Sequence, residues 1–345
     1  MEKLMRLIKD LSQIGGVSGD EGAVRAYIRG QLEGHCDMRT DALGNLICKK
    51  KGAKAPAHRL MVEAHMDEVG FIVTGITESG MLRFDTVGGI DARVIIGKPV
   101  LVGPQAVRGV IGTKAMHLQS AAERDEMPQV ETLSIDIGAS SKEEAESLVR
   151  LGDSGVWDSA FVSFGDGFVK GRALDDRAGC AIMIDLIQGD IPFDTTFVFT
   201  TQEEVGTRGA QAAAYEVAPD VAIVLETTTA ADIAGVAPAN QVCRLGKGPV
   251  LSVMDKGTIY DKGLVRFAMD TAKRRDIPVQ IKEGVYGGND AHAVHVSRSG
   301  VRTLAVSLPC RYLHSPSCVL KVEDIAATRD LTAALLGMEG PAPAL

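Results

Sequence analysis

Five short stretches of this 345-residue chain bring carboxylates and histidines together where runs of strand-forming residues end. In the first, Glu63-Ala-His65-Met-Asp67-Glu68, His65 follows the apolar run Arg59–Ala64, and Asp67 stands two residues on. A carboxylate that accepts from one imidazole nitrogen leaves the other free to face a metal, although a histidine among surface acids carries the same letters. The second, Arg172-Ala-Leu-Asp175-Asp176-Arg177, has two adjacent carboxylates before a helical stretch. That pair suits a metal, and equally a helix N-terminus, whose dipole favours acids. The third, Thr200-Thr-Gln-Glu203-Glu204-Val-Gly206, ends the run Thr195–Thr201. Neighbouring glutamates point different ways, so one can bind a cation while the other handles a proton; a solvated acidic turn is the plain alternative. In the fourth, Glu226 closes the apolar run Val221–Leu225, where an unpaired charge is costly and a cation would remove the cost. In the fifth, Arg311-Tyr-Leu-His314-Ser-Pro316, a second histidine lies just beyond Arg302–Ser307, as a metal ligand or as a structural histidine. Two histidines with several carboxylates suit zinc, cobalt or manganese. A carboxylate shared by two ions would make a dinuclear centre, with the metals about 3.5–4 Å apart.

Such residues need a scaffold that brings strand ends together. Leu4, Leu7, Ile8, Leu11 and Ile14 recur at helical spacing, and Ser18 with Glu21 has the spacing of a capping box opening a second helix through about Leu32. Strands are expected at Leu46–Lys49 and Arg59–Ala64. From about Gly70 to Gly165 short β-rich runs (Phe71–Ile76, Val94–Val102, Val107–Gly112, Phe161–Phe164) alternate with turns, broken by one acidic helix-like stretch, Lys142–Arg150. After Gly171 the α/β pattern returns: helices at Asp176–Leu186, Thr207–Tyr215, Lys262–Arg275 and Val322–Leu336, strands at Thr195–Thr201, Val221–Leu225 and Arg302–Ser307. Runs such as Ala222-Ile-Val-Leu225 are apolar on both faces, so helices must cover both. The expected fold class is α/β: a three-layer α/β/α domain made of residues 1–69 and 166–345, interrupted by a small β-barrel-like domain, 70–165. The Pro/Ala tail Gly340–Leu345 is expected to fray.

With 37 basic and 45 acidic residues, a net charge of −8 and no concentrated basic patch, nucleic-acid binding is not expected. The longest apolar stretches run to about ten residues, half of what a bilayer crossing needs, and the start Met1-Glu2-Lys3-Leu4 does not read as a signal peptide. A cytoplasmic protein without a membrane partner is expected. Cys36, Cys48, Cys180, Cys243, Cys310 and Cys318 form no CxxC pair and read as buried small hydrophobes in a reducing compartment.

The order and spelling of the motifs carry a resemblance. His65-Met-Asp67-Glu-Val-Gly-Phe-Ile, Gly109-Val-Ile-Gly-Thr-Lys, Ala173-Leu-Asp175-Asp176-Arg-Ala-Gly, Gln202-Glu203-Glu204-Val-Gly, Gly246-Lys-Gly-Pro, Gly287-Gly-Asn-Asp-Ala and Arg311-Tyr-Leu-His314-Ser-Pro follow one another nearly end to end. This series resembles the tetrahedral (TET) dinuclear metallo-aminopeptidases, metallopeptidase family forty-two, the group of glutamyl aminopeptidase and of proteins once labelled cellulase M. The resemblance implies that His65, Asp175 and Glu226 hold one divalent ion and that Asp175, Glu204 and His314 hold the other, with Asp175 bridging. It implies Glu203 as general base, Asp67 as the partner of His65, and a cis peptide between Asp175 and Asp176. It implies two ions per subunit, zinc or cobalt foremost and manganese as a further option. The expected activity is removal of N-terminal residues from short peptides, and the expected assembly runs from dimers, paired through the inserted domain, to a tetrahedral dodecamer. Gly287-Gly288 is expected to approach the substrate backbone. Two departures stand out: Glu226 occupies a position where the family usually has aspartate, and Cys318 one where it usually has an acid. Two other readings fit fewer residues: a glycoside hydrolase, because paired carboxylates also cleave sugars, and a non-catalytic assembly protein of the same fold.

Overall fold

The computed structural model describes residues 1–337; the tail Gly340–Leu345 lies outside them. The chain opens with α1 (Glu2–Gln13), whose buried Leu4, Leu7, Ile8 and Leu11 form one apolar stripe, and α2 (Gly22–Leu32). The capping box does not form. Ser18 Oγ donates to Asp67 Oδ2 at 2.6 Å, and Glu21 Oε1 accepts from the backbone N–H groups of Gly19 and Gln202. Long-range partners have taken the side chains that local spacing assigns to a cap. Strands β1 (Asp37–Thr40), β2 (Leu46–Lys50) and β3 (Leu60–His65) follow.

The next segment closes into a barrel. Its strands are β4 (Gly70–Ile76), β5 (Leu82–Val87), β6 (Pro99–Val102), β7 (Val107–Gly112), β8 (Ser134–Asp136) and β9 (Ser154–Trp157), in the order β4-β5-β8-β7-β6-β9. Phe71 fills its centre, edge-on to Phe84 and Trp157 at 5.4 Å each. Closure leaves no free strand edge. Within Val94–Val102, which reads as one β-run, the chain makes a helical turn, α3 (Ala92–Ile95), before β6. Asp91 accepts from the Arg93 N–H and starts that turn; Gly97, at φ +74°, ends it. Two more short helices, α4 (Ala121–Asp125) and α5 (Lys142–Leu148), lie in the same segment. The barrel ends at Trp157. Strand β10 (Val162–Phe164), which reads as part of the β-rich stretch, instead pairs with β11 (Phe168–Gly171).

The chain then returns through α6 (Leu174–Gln188), β12 (Thr195–Thr200), α7 (Arg208–Val217), β13 (Val221–Thr229), β14 (Val250–Leu251), α8 (Lys262–Arg274), β15 (Gln280–Ile281), α9 (Ala291–His295), β16 (Arg302–Cys310), β17 (Cys318–Lys321) and α10 (Val322–Leu336). The main sheet has the order β1-β2-β12-β3-β13-β16-β14-β15, and its central strands β12, β3, β13 and β16 run parallel. Alternation along these strands sorts the two faces. Val62, Ala64, Phe197 and Phe199 pack with α1, α2 and α6, whereas Met61 and Val198 pack with Ala210, Ala213 and Ala214 of α7 and Val294 of α9. This is the three-layer α/β/α fold with an inserted barrel. Among the described residues no helix is long and apolar enough to cross a membrane. Five cysteines are buried as expected, but Cys36 is only half-buried.

Candidate active site

Parallel strands in register end on one side of a sheet, and there the motifs meet. Thr200 of β12 pairs with His65 of β3, and Glu226 of β13 pairs with Ser307 of β16. His65 is the last residue of its strand; Glu203 and Glu204 lie in the turn just past β12, and His314 in the loop past β16. Glu226 lies within β13, which continues to Thr229. Asp175 enters from the start of α6, through a cis peptide to Asp176.

The seven expected residues gather in one cluster. His65 Nε2 lies 3.5 Å from Asp175 Oδ1 and 3.4 Å from Glu226 Oε1. His314 Nε2 lies 3.3 Å from Asp175 Oδ2 and 3.2 Å from Glu204 Oε2. Asp175 thus faces one histidine with each oxygen. Tetrahedral bonds of 2.0–2.2 Å set neighbouring ligand atoms about 3.3–3.6 Å apart; the four histidine–carboxylate distances, 3.2–3.5 Å, lie at or close to that spacing, and the atoms of each triad all lie within 4.8 Å of one another. His65 Nε2 and Asp175 Oδ1 are buried without a hydrogen-bond partner, a costly state that a bound cation removes. The residues present therefore fit two divalent ions, and Glu226 reaches the first triad despite its extra methylene.

Asp67 stands beside His65 and has a second set of partners. The His65 Nδ1 nitrogen is 3.2 Å from the Asp67 backbone carbonyl, closer than the 3.5 Å to the Asp67 carboxylate. That carboxylate also accepts from the backbone N–H groups of Glu203 (3.0 Å) and Glu204 (3.1 Å) and from Ser18. It sets the turn that carries both glutamates.

Charge at the site is crowded. Burial alone would push the His65 pKa down, yet Glu226, Asp175 and Asp67 hold it well above its ordinary value. Burial likewise opposes ionisation of Asp175, but the His314 and His65 rings hold it well below the carboxylate range. Burial raises Glu204 and Glu226 to about 8 each, helped by the neighbouring Asp175 charge. Burial also lifts Glu203 well above its usual value, with Glu226, Asp290 and Glu204 adding to it. Protons held this way compete with a cation for the same atoms, so metal loading releases them.

A cavity of about 960 Å³ opens over the cluster and includes Asp175, Glu203, Glu204 and Glu226 on its wall. Gly287 and Gly288 border it, and Gly89, Arg93 and Lys98 line it from the barrel. The supporting residues that motif reading passes over are Arg172, Arg177, Glu68 and Gly89. Fully buried Arg177 donates to the carbonyls of Met66 (2.6 Å), Leu11 (2.7 Å) and Ile14 (3.0 Å), while Arg172 and Arg177 both pair with Glu68. The arginines that flank Asp175-Asp176 in the sequence are their only signal. Gly89, at the barrel, has none: its carbonyl lies 3.0 Å from His314 Nδ1.

A family model for M42 glutamyl aminopeptidase matches residues 44–331. A putative aminopeptidase of Acetivibrio thermocellus is 37% identical over 327 residues, 94% of this chain and 96% of the relative. An aminopeptidase of known structure from the archaeon Desulfurococcus kamchatkensis matches with a TM-score of 0.93 at 33% identity, over 99% of this chain and 96% of that one. The TET1 peptidase of Pyrococcus horikoshii, described as assembling into a tetrahedron or a large octahedral shell, matches with a TM-score of 0.87 at 36% identity, over 97% and 100% of the two chains. A histidine-carboxylate cluster at the strand ends of this sheet, together with kinship along the whole chain, makes it a peptidase, and it belongs to the M42 glutamyl aminopeptidase family.

Proposed function

We propose that this chain is a dinuclear metal-dependent aminopeptidase that removes N-terminal residues from short peptides. The observation that carries the reading is the division of Asp175, with Oδ1 toward His65 and Oδ2 toward His314. His65, Asp175 and Glu226 would hold one divalent ion, and Asp175, Glu204 and His314 the other; nitrogen and oxygen donors suit zinc or cobalt, and manganese less well. Two such ions, when bound, supply an acidified water and an electrophile for the scissile carbonyl.

Glu203 takes no part in either triad and serves as the proton carrier. Its carboxylate accepts the proton of the attacking water and later delivers it to the departing amine. Burial raises the basicity of this carboxylate, which suits a group that takes up a proton and passes it on. Asp67 positions this group through the Glu203 N–H. The acidic wall of the cavity suits the free α-ammonium of a peptide, which favours cleavage at the N-terminus over cleavage within a chain.

In this reading residues 1–69 and 166–345 form the catalytic domain and residues 70–165 the dimerisation domain. The tetrahedron or large octahedral shell described for the Pyrococcus horikoshii relative supports self-assembly here, and dimers building a tetrahedral dodecamer are the form this reading takes. A chelator should abolish release of aminoacyl anilides, and zinc or cobalt should restore it. Anilide cleavage that survives complete metal removal overturns the proposal. Metal-independent cleavage of cellulose instead favours the glycoside hydrolase.

A further inference from the structure

The loop carrying His314 is bracketed by two cysteines. Cys310 ends β16 and Cys318 begins β17. The residues that follow them, Arg311 and Val319, exchange both backbone hydrogen bonds at 3.0 Å, the neck of a tight antiparallel loop. Cys310 and Cys318 stand on the same side of that pair, because each is one residue from it and strand side chains alternate. Both are buried. The Cys318 sulfur touches the carbonyls of Tyr312 (3.6 Å) and Ser315 (3.7 Å), the residues that flank His314 on its two sides.

Neither cysteine has a role in the proposed hydrolysis. One of them nevertheless lies beside the active site. A cavity of about 10 Å³, room for about one water, is lined by Cys318 together with Asp175, Glu204 and His314. The latter three also line the large substrate cavity, so the two spaces adjoin.

We propose that Cys310 and Cys318 are a redox-modification site, closed to an intramolecular disulfide by hydroperoxides that arrive through the active-site cavity. One thiol attacks the O–O bond of hydrogen peroxide, giving a sulfenic acid and one water. The second thiol displaces the sulfenic oxygen as another water, and the S–S bond forms. Two thiols and one peroxide become one disulfide and two waters; the sulfurs lose two electrons and the peroxide gains them.

The link acts on His314. Diagonal neighbours across a ladder have Cα atoms about 7–8 Å apart, at or beyond the upper limit for a disulfide, so closing the bond draws the neck of the loop together. Cys318 then loses its contacts with Tyr312 and Ser315. Tyr312 and His314 already have left-handed backbones, φ +59° and +54°, and have little room to absorb a shift without moving the ring. Nε2 of His314 leaves the 3.2–3.3 Å spacing that joins it to Glu204 and Asp175.

The test uses the purified full-length protein, zinc-loaded, titrated with hydrogen peroxide, then alkylated and read by peptide mass spectrometry. Zinc affinity is measured in parallel by competition with a chromophoric chelator. A Cys310–Cys318 link within one chain is expected, reversed by dithiothreitol and absent from C310S and C318S. Affinity at one of two zinc sites should fall about 10–100-fold on oxidation, and C310S should keep its affinity at the same peroxide dose. Free alkylation of both cysteines after peroxide, a link between chains, or a link that leaves zinc affinity unchanged would each overturn the proposal. The effect on zinc rests on the proposed metal set, but the link itself is read without substrate. Its absence would leave the peptidase reading standing, and a failure of peptidase activity would leave the link standing.

Discussion

The two histidines of the site offer the same atom to the same aspartate, but the molecule holds them by different means. His65 ends a central strand and is 1% exposed, whereas the His314 side chain is 33% exposed and belongs to a loop. Behind His65, Arg177 of α6 ties the end of α1, at Leu11 and Ile14, to Met66, the residue next to the histidine. Behind His314 stand one carbonyl of the barrel, Gly89, and a left-handed backbone. One half of the centre is therefore a product of the sheet and its core. The other half is a loop closed by its own bonds and met from the barrel side by the Gly89 carbonyl. A single chemical role can be filled from a rigid strand end or from a loop, but the loop must borrow its support.

Glu203→Gln should have the largest effect, because it removes a function both halves share. Turnover of an aminoacyl anilide is expected to fall about 10²–10⁴-fold with metal content and far-UV circular dichroism unchanged; normal activity would reject Glu203 as the base. Next, Arg177→Met should break the His65 half by leaving Glu68 short of one buried partner. A loss of about 3–5 kcal/mol in urea unfolding is expected. The counterpart on the loop, Ser315→Ala, removes the bond its hydroxyl donates to the Tyr312 carbonyl and the one it accepts from the Ser317 N–H, and should cost about 0.5–1.5 kcal/mol for each. Equal losses would erase the contrast between strand and loop.

Asp67→Asn touches both halves through one residue. The turn holding Glu203 and Glu204 loosens, and metal affinity should weaken about 10–100-fold by competition titration. An unchanged affinity would assign the carboxylate a folding role only. The smallest effect belongs at the far end of the same strands, where half-buried Asp220 accepts from the Arg59 side chain and N–H. The Arg59 guanidinium holds its pKa down at about 2, below its unfolded value near 3.9. This stabilisation is present above pH 4 and is lost as pH falls toward 2. Asp220→Ala should therefore cost about 0.2–1 kcal/mol at pH 7, and less at pH 2; a constant penalty across that range would remove the ion pair as its cause.

Much of this was legible in the residues. The apolar stripe of α1 and the doubly buried runs of β13 and β16 announce the layers, since burial on two faces leaves no polar alternation. The clustering of acids and histidines at strand ends announces the site. Other readings failed where a local rule met a distant partner. Ser18 and Glu21 have capping spacing, but Asp67 and Gln202 claim them. Val94–Val102 has β-forming residues throughout, but Asp91 and Gly97 impose a helical turn on its first half.

By itself the sequence determined which chemical groups are present, the alternation that sorts them to the faces of a sheet, and the order in which strands deliver them. Side-chain type and period act through neighbours a few residues away, so they can be read along the chain. Only the tertiary structure decided that each oxygen of Asp175 meets a different histidine, that the Asp67 carboxylate holds a turn more closely than a ring, and that Gly89 steadies His314 across 225 residues of chain. Those outcomes turn on gaps of a few tenths of an ångström between segments that touch only after the core has packed, and no spacing along a chain encodes such distances directly.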